Sequence, residues 1–233
     1  MIIIQITSKV EWKETKGLLD SIGINAYPYG EYVKMIIDNQ ECIFYYSGPT
    51  KTLASGACQY AIDRWAPEIL FVLGTCGGVA EALQPFDVIL AEKTAQWDVD
   101  PARKKATIFH EMLALDNSWT DWNDFPYKIV KGFIASGDQT VTASNCDKLR
   151  NGEVMAADWE TASIAKICSV NDVKCCIVRG VSDLGNEREF NFEIFQRNTS
   201  IIMERLIKSY LPSLVSRYIK SKSNQSSICI PKH

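Results

Sequence analysis

Residues 154–185 read VMAADWETASIAKICSVNDVKCCIVRGVSDLG, and this stretch decides the fold. It is a strand, a helix and a second strand, with a carboxylate at the carboxyl end of each strand. Residues 154–157 are short and apolar, and Asp158-Trp159-Glu160 stands where the chain turns into the helix. Thr161, Ile164, Ala165 and Cys168, spaced three and four apart, form the inward stripe of that helix. Lys174-Cys175-Cys176-Ile177-Val178 has the β-branched and thiol-rich character of a buried parallel strand, and it ends in Arg179-Gly180-Val181-Ser182-Asp183. In open α/β sheets ligands collect outside the carboxyl ends of strands. The two ends carrying Glu160 and Asp183 are therefore expected to open onto one crevice.

Working outward, residues 2–7 read as a first strand and residues 9–19 as a helix with Ser8 as its N-cap. Glu11 falls in the first turn of that helix. Residues 31–37 and 41–47 alternate as strands around an Asp38-Asn39-Gln40 turn. Ser47-Gly48-Pro49-Thr50 leads into an amphipathic helix ending near Trp65, before Pro67. Residues 69–73 are a buried strand that stops at Gly74-Thr75-Cys76-Gly77-Gly78, and residues 85–91 and 129–135 read as further strands. A short helix is expected around residues 145–149, and one long helix over residues 191–211 with Phe195, Ile202 and Leu206 on one face. Residues 97–127 are polar, aromatic and aperiodic, which marks a functional or mobile segment, either a lid or an interface.

At 233 residues the chain has room for one α/β domain with a large core. The organisation expected is a domain over residues 1–220 and a polar, frayed tail over residues 221–233. A formal charge of −3 without a long basic run leaves no footprint for a nucleic-acid backbone. No apolar run approaches the roughly 20 residues of a membrane helix. Residues 1–6 lack the charged region and cleavage site of a signal peptide. Eight cysteines form no Cys-x-x-Cys pair, and only His110 and His233 accompany them, so neither a metal nor a disulfide framework is expected. Free buried thiols in a reducing cytoplasm are the reading.

Several segments resemble, in order, motifs of the purine nucleoside phosphorylase and nucleosidase superfamily. They are SGPTKTLASGAC (47–58), GTCGGV (74–79), FDVILA (86–91), ASGDQTV (135–141), DWETASI (158–164) and VRGVSDL (178–184). The resemblance covers about the first 210 residues and is nearest the methylthioadenosine/S-adenosylhomocysteine nucleosidases. It implies one α/β domain around a mixed, partly barrel-like sheet flanked by helices, a homodimer, no cofactor, and cleavage of a ribose–purine N-glycosidic bond.

Breaking that bond leaves an oxocarbenium-like sugar and an electron-rich base. Asp183 resembles the family's general acid, which protonates the purine at N7 and needs a raised pKa to do so. An aspartate capping a turn explains a lone Ser-Asp, but not the matching Arg179-Gly180-Val181 before it. Glu160 resembles the glutamate that binds the ribose hydroxyls and shares the positive charge. Glu11 resembles the glutamate that activates water, with Glu14 as the alternative. Thr75 resembles a hydroxyl residue beside the nucleophile, and Gly77 lies in a glycine run that allows close backbone approach. Arg179 is read as an orienting partner to a carboxylate or hydroxyl. Asp158 and Ser182 complete the substrate-binding set with Trp159, Thr140 and Val141.

Two departures matter. Where the nucleosidases carry an aromatic that stacks on adenine, this chain has Gln139-Thr140-Val141, so Val141 offers backbone bonds only. Trp159 replaces a usual methionine, and it either supplies an aromatic face to the ligand or packs in the core. Against phosphorolysis, Val72 stands where the hexameric phosphorylases have an arginine, leaving Lys9 and Lys51 as substitutes. The alternatives are a futalosine-type or other nucleoside hydrolase, a phosphorylase, and a non-catalytic nucleoside sensor. Phe109 and Met112 are candidates for a neighbouring subunit's 5′-pocket.

Overall fold

The computed structural model describes residues 1–19, 23–99, 110–185 and 191–228. Its framework is a ten-stranded mixed sheet organised around strand β5 (Ile69–Gly78). Along Ile69–Val72 this strand pairs in parallel with β1 (Ile2–Ile6), and along its whole length with β10 (Lys174–Leu184). At its far end Gly77 and Gly78 pair antiparallel with β9 (Val154–Asp158). β10 continues to β6 (Val88–Gln96), β6 to β8 (Val130–Ser136), and β8 to β9. That path returns to β5 and closes five strands into a barrel. On the other side of β1 the sheet stays open through β4 (Gln40–Tyr46), β3 (Gly30–Ile37) and β2 (Asn25–Tyr27).

Closure explains why Gly74-Thr75-Cys76-Gly77-Gly78 continues β5 instead of ending it in a turn, as the sequence suggested. A side chain at Gly78 would meet Leu184 Cδ2 at 2.9 Å and Val181 Cγ1 at 3.1 Å. Without one, β5 runs on in contact with both β10 and β9. β10 also extends beyond the apolar run, through Arg179 to Leu184, with a bulge between Val181 and Asp183.

The helices follow their sequence signals closely. Helix α1 (Lys9–Leu18) begins with a capping box: Ser8 Oγ accepts from Glu11 N at 3.1 Å, and Glu11 Oε2 accepts from Ser8 N at 3.0 Å. Helices α2 (Thr50–Trp65) and α4 (Thr161–Val170) pack together on one face of the sheet. The stripe Thr161, Ile164, Ala165 and Cys168 is fully buried there. Helix α3 (Ala143–Asn151) precedes β9. The two residues of the β3–β4 hairpin, Asp38 (φ 50°) and Asn39 (φ 59°), take the left-handed conformations that such a tight turn requires.

The C-terminal helix is longer and less regular than expected. Helix α5 (Phe192–Arg205) passes through a π-helical turn (Leu206–Tyr210) into α6 (Leu211–Ile228). Leu211 N bonds Leu206 O, five residues back, one position before Pro212, whose missing N–H disfavours a regular ladder. α6 crosses the boundary placed at residue 220, and residues 229–233 lie outside the described residues. No described helix is long and apolar enough to cross a membrane. All seven described cysteines are free and buried.

Residues 97–127 divide in two. Strand β7 (His110–Ala114) pairs with β6, whereas residues 100–109 lie outside the described residues. Residues 116–127 pack at the barrel end opposite Asp183. Asp116 pairs with Lys174 at the start of β10 (3.7 Å). Trp119 stacks edge-on against Phe71 and Tyr218, at 6.2 and 5.9 Å between ring centroids, and Trp122 and Phe125 are buried beside it. This part is core rather than lid. Trp119→Ala is expected to cost about 3–5 kcal/mol in chemical denaturation; a lid residue would leave the midpoint unchanged.

Candidate active site

Arg179 is completely buried, and its guanidinium faces three carboxylates from two separate segments, the first turn of α1 and the β9–α4 junction. Nη1 lies 3.8 Å from Glu11 Oε1, Nε 3.3 Å from Asp158 Oδ2, and Nη2 3.5 Å from Glu160 Oε2. Each carboxylate is itself buried, being 2%, 8% and 6% exposed respectively. The gathering depends on Gly74, since a Cβ there would lie 2.1 Å from Arg179 Nη1 and 2.6 Å from Glu11 Oε1.

The chain holds each acid differently. Glu11 Oε1 accepts from Thr75 N (2.6 Å) and Thr75 Oγ1 (2.8 Å), while Oε2 accepts from the α1 cap. Asp158 Oδ1 accepts from Ser136 Oγ (2.6 Å) and from the amides of Glu160 and Thr161 (both 3.2 Å), serving the start of α4. Its role is therefore to organise the turn that aims Glu160. Glu160 Oε1 accepts from Thr50 N at 3.3 Å. To present that amide Thr50 adopts φ 74°, which is costly for a β-branched residue and is a strain held at the site.

Asp183 stands beyond this cluster on the same strand, opposite Gly77 on β5, where Arg179 is opposite Gly74. Three residues of β5 separate the two levels, roughly 10 Å. A Cβ on Gly77 would be 3.6 Å from Asp183 Oδ2, an ordinary contact distance, so Gly77 lies directly against the acid. Ser182 Oγ donates to Asp183 Oδ1 at 2.5 Å. Val141 lies against the same turn, where a Cβ on Gly185 would be 2.7 Å from Val141 Cγ1. Thr140 is exposed on the neighbouring loop. Trp159 is 42% exposed between two buried acids, which places it on the rim and not in the core.

Electrostatics follow from three acids sharing one cation. Burial pushes the Glu160 carboxyl up to about 8; Arg179 opposes this, and Asp158 and Glu11 reinforce it. Burial also works against the charge on Arg179, but Asp158, Glu11 and Glu160 together outweigh it and raise its pKa. Cys76, on β5 between the two levels, has its thiol held well above its ordinary value by burial, then by Asp158, with Asp183 and Glu11 adding to it. The four carboxylates thus share one electrostatic neighbourhood.

Glu11, Thr75, Asp158, Glu160 and Arg179 meet as one group, with Gly77, Ser182 and Asp183 at the next level. Glu14 points elsewhere and accepts from Ser200 Oγ on α5 at 2.8 Å. Sequence reasoning missed Ser136, Thr50 and Tyr46, although the first two stand inside motifs already singled out. Tyr46, at the end of β4, has its phenol raised by burial and then by Glu11 and Glu160, which puts it beside the cluster. Lys51 is engaged with Asp98 and Asp138, and Lys9 is on the exposed face of α1. Phe109 lies outside the described residues, and Met112 is 54% exposed on β7.

Residues 28–211 match the family model described as the phosphorylase superfamily. A 5′-methylthioadenosine/S-adenosylhomocysteine nucleosidase of Bacillus cereus is 26% identical over 204 residues, covering 79% of this chain and 86% of that protein. An aminodeoxyfutalosine nucleosidase of Campylobacter jejuni is 26% identical over 204 residues, covering 78% and 83%. The crystal structure of a Helicobacter pylori methylthioadenosine/S-adenosylhomocysteine nucleosidase with butyl-thio-DADMe-Immucillin-A superposes with a TM-score of 0.80. It is 22% identical and covers 94% of this chain and 97% of that one. The single α/β domain with a partly closed mixed sheet is the shared fold.

The raised Glu160 pKa sets a sign for stability. Between its ordinary value of 4.5 and about 8, the folded protein keeps a proton that the unfolded chain has released. Stability therefore falls as pH rises through this window and levels off above it. Glu160→Gln is expected to remove that part of the slope in melting temperatures measured from pH 5 to pH 9, values set by this window.

Proposed function

This chain belongs to the phosphorylase superfamily, and we propose that it hydrolyses the N-glycosidic bond of a purine nucleoside of the methylthioadenosine/S-adenosylhomocysteine class. The observation that carries this reading is the convergence of Glu11, Asp158 and Glu160 on buried Arg179, with Asp183 one level above at the end of the same strand.

In this mechanism Glu160 takes the ribose hydroxyls. As the C1′–N9 bond lengthens, the sugar becomes cationic. Three buried acids around a single guanidinium hold more negative than positive charge, so the site stabilises a cation without reorganising. The raised pKa of Glu160 comes first from burial, with Asp158 and Glu11 adding to it against Arg179. Asp183 delivers its proton to N7, and the purine leaves with the bonding pair. Glu11 takes a proton from water as its oxygen bonds to C1′. Thr75, through its amide and hydroxyl, fixes Glu11 for this step. Val141 and the glycine edge at Gly77 border the base, with the indole of Trp159 as the aromatic face over the ligand.

Water is the acceptor in this reading. A phosphate dianion would enter a cluster that is already over-supplied with negative charge, and the candidate lysines do not offset it. Lys51 is engaged by Asp98 and Asp138. Buried free thiols fit a cytoplasmic setting, and the exposed Met112 fits a homodimer in which it borders the neighbour's 5′-pocket.

The test incubates the protein with methylthioadenosine, S-adenosylhomocysteine, adenosine, inosine and futalosine, with and without phosphate, and measures free base. Phosphate-independent adenine release from the first two is expected. Strict phosphate dependence would make it a phosphorylase, and preference for futalosine would reassign the 5′-substituent. Asp183→Asn is expected to lose about 10²–10⁴-fold in kcat, with an unchanged circular dichroism spectrum. Tight binding without base release, equal in that variant, would identify a sensor.

A further inference from the structure

The acid at position 183 is aimed by an irregularity in its strand. β10 keeps register with β5 as far as Val181 opposite Cys76, then resumes with Asp183 opposite Gly77, leaving Ser182 as the extra residue. Such a bulge takes a residue's polar groups out of the ladder and turns the next side chain. A carbonyl left buried in this way needs another partner. Ser182 is 1% exposed, and its carbonyl accepts from Asn198 Nδ2 of α5 at 2.7 Å.

Asn198 is itself 3% exposed, at the N-terminal end of the buried stripe of α5 formed with Thr199, Ile202 and Met203. Its neighbours fix the helix against this part of the strand. Ile202 lies over Gly180, where a Cβ would be 2.3 Å from Ile202 Cγ2, and Ser200 bonds Glu14 on α1. Apolar packing alone would have seated the helix. A buried amide costs desolvation that its bond to Ser182 must offset, and its own Oδ1 has no hydrogen-bond partner among the described residues. The position thus carries an energetic penalty for one contact, and that contact is to the residue before the acid.

We propose that Asn198 is a positioning residue for proton transfer: its amide holds the bulge at Ser182 and so sets the direction from which Asp183 meets the leaving base. This rests on the reading of Asp183 as the general acid. Ser182 gains a second role from the same arrangement, because its hydroxyl reaches either Asp183 Oδ1 at 2.5 Å or Cys76 O at 3.3 Å. With the bulge held, the hydroxyl stays beside the acid.

The experiment measures kcat, KM and the pH dependence of kcat/KM with methylthioadenosine for wild type, Asn198→Leu, Asn198→Asp, Ile202→Val and Asp183→Asn. Asn198→Leu is expected to lower kcat about tenfold or more, to leave KM within about threefold, and to displace the basic limb that reports the acid. Ile202→Val, which alters packing on the same helix, is expected to lower the melting temperature and leave that limb in place. Should Asn198→Leu not fold, the near-isosteric Asn198→Asp is decisive, because it keeps the side chain's shape but removes the N–H that holds Ser182 O, and the same fall in kcat with KM little changed is expected. Unchanged kcat and an unmoved limb in folded Asn198 variants would overturn the inference while an inactive Asp183→Asn upheld the acid. A fully active Asp183→Asn would overturn both.

Discussion

A single buried cation has to serve three carboxylates from two distant parts of the chain, and the fold is arranged so that it can. Arg179 projects from β10, Glu11 from the first turn of α1, and Asp158 and Glu160 from the β9–α4 junction. None of these groups is tolerable in the interior alone, because an unpaired buried charge is expensive. Together they fix the relative positions of strands β5, β9 and β10. That is the part of the sheet where the barrel closes. Gly74 is the residue on which the arrangement turns, since any side chain there would occupy the space of both the arginine and Glu11.

The same group is left incompletely balanced, and chemistry follows from the imbalance. The guanidinium lies 3.3–3.8 Å from its acids, and no nitrogen of it makes a hydrogen bond of normal geometry among the described residues. A purely structural ion cluster would be expected to bring those contacts to bonding distance. Here the acids are positioned by the backbone and by hydroxyls instead: Thr75 and Ser8 for Glu11, Ser136 for Asp158, Thr50 for Glu160. The strained Thr50 backbone is part of what this positioning costs. What results is a buried region in which three acids share one cation, an arrangement suited to a transient positive charge.

Much of this was legible in the sequence because local rules act on it directly. The strand–helix–strand of residues 154–185 followed from periodicity, and all four residues expected on the inward face of α4 are buried, with Ala162 and Ser163 buried besides. Ser8 and Glu11 read as a cap, and the structure makes them a reciprocal one. The choice between Glu11 and Glu14 was not legible, because both lie on one short helix and only the position of α5 separates them. Glycine carries two opposite meanings, a turn or a close approach, and at residues 74–78 the approach of β10 and β9 decides for the second. The bulge at Ser182 has no sequence signature, and neither does Asn198, whose partner is a backbone atom. The irregular segment 97–127 looked functional because its aromatic residues have no period, yet residues 116–127 bury those rings against α6.

One spatial relation decides the proposed mechanism: ribose at Glu160 and Arg179, water at Glu11, and the purine N7 at residue 183. A crystal structure of Asp183→Asn with bound methylthioadenosine measures it directly. The ribose hydroxyls are expected within hydrogen-bonding distance of Glu160, with a water between Glu11 and C1′ and N7 facing the amide that replaces Asp183. A nucleoside bound elsewhere, or bound here with N7 turned away from residue 183, would contradict it.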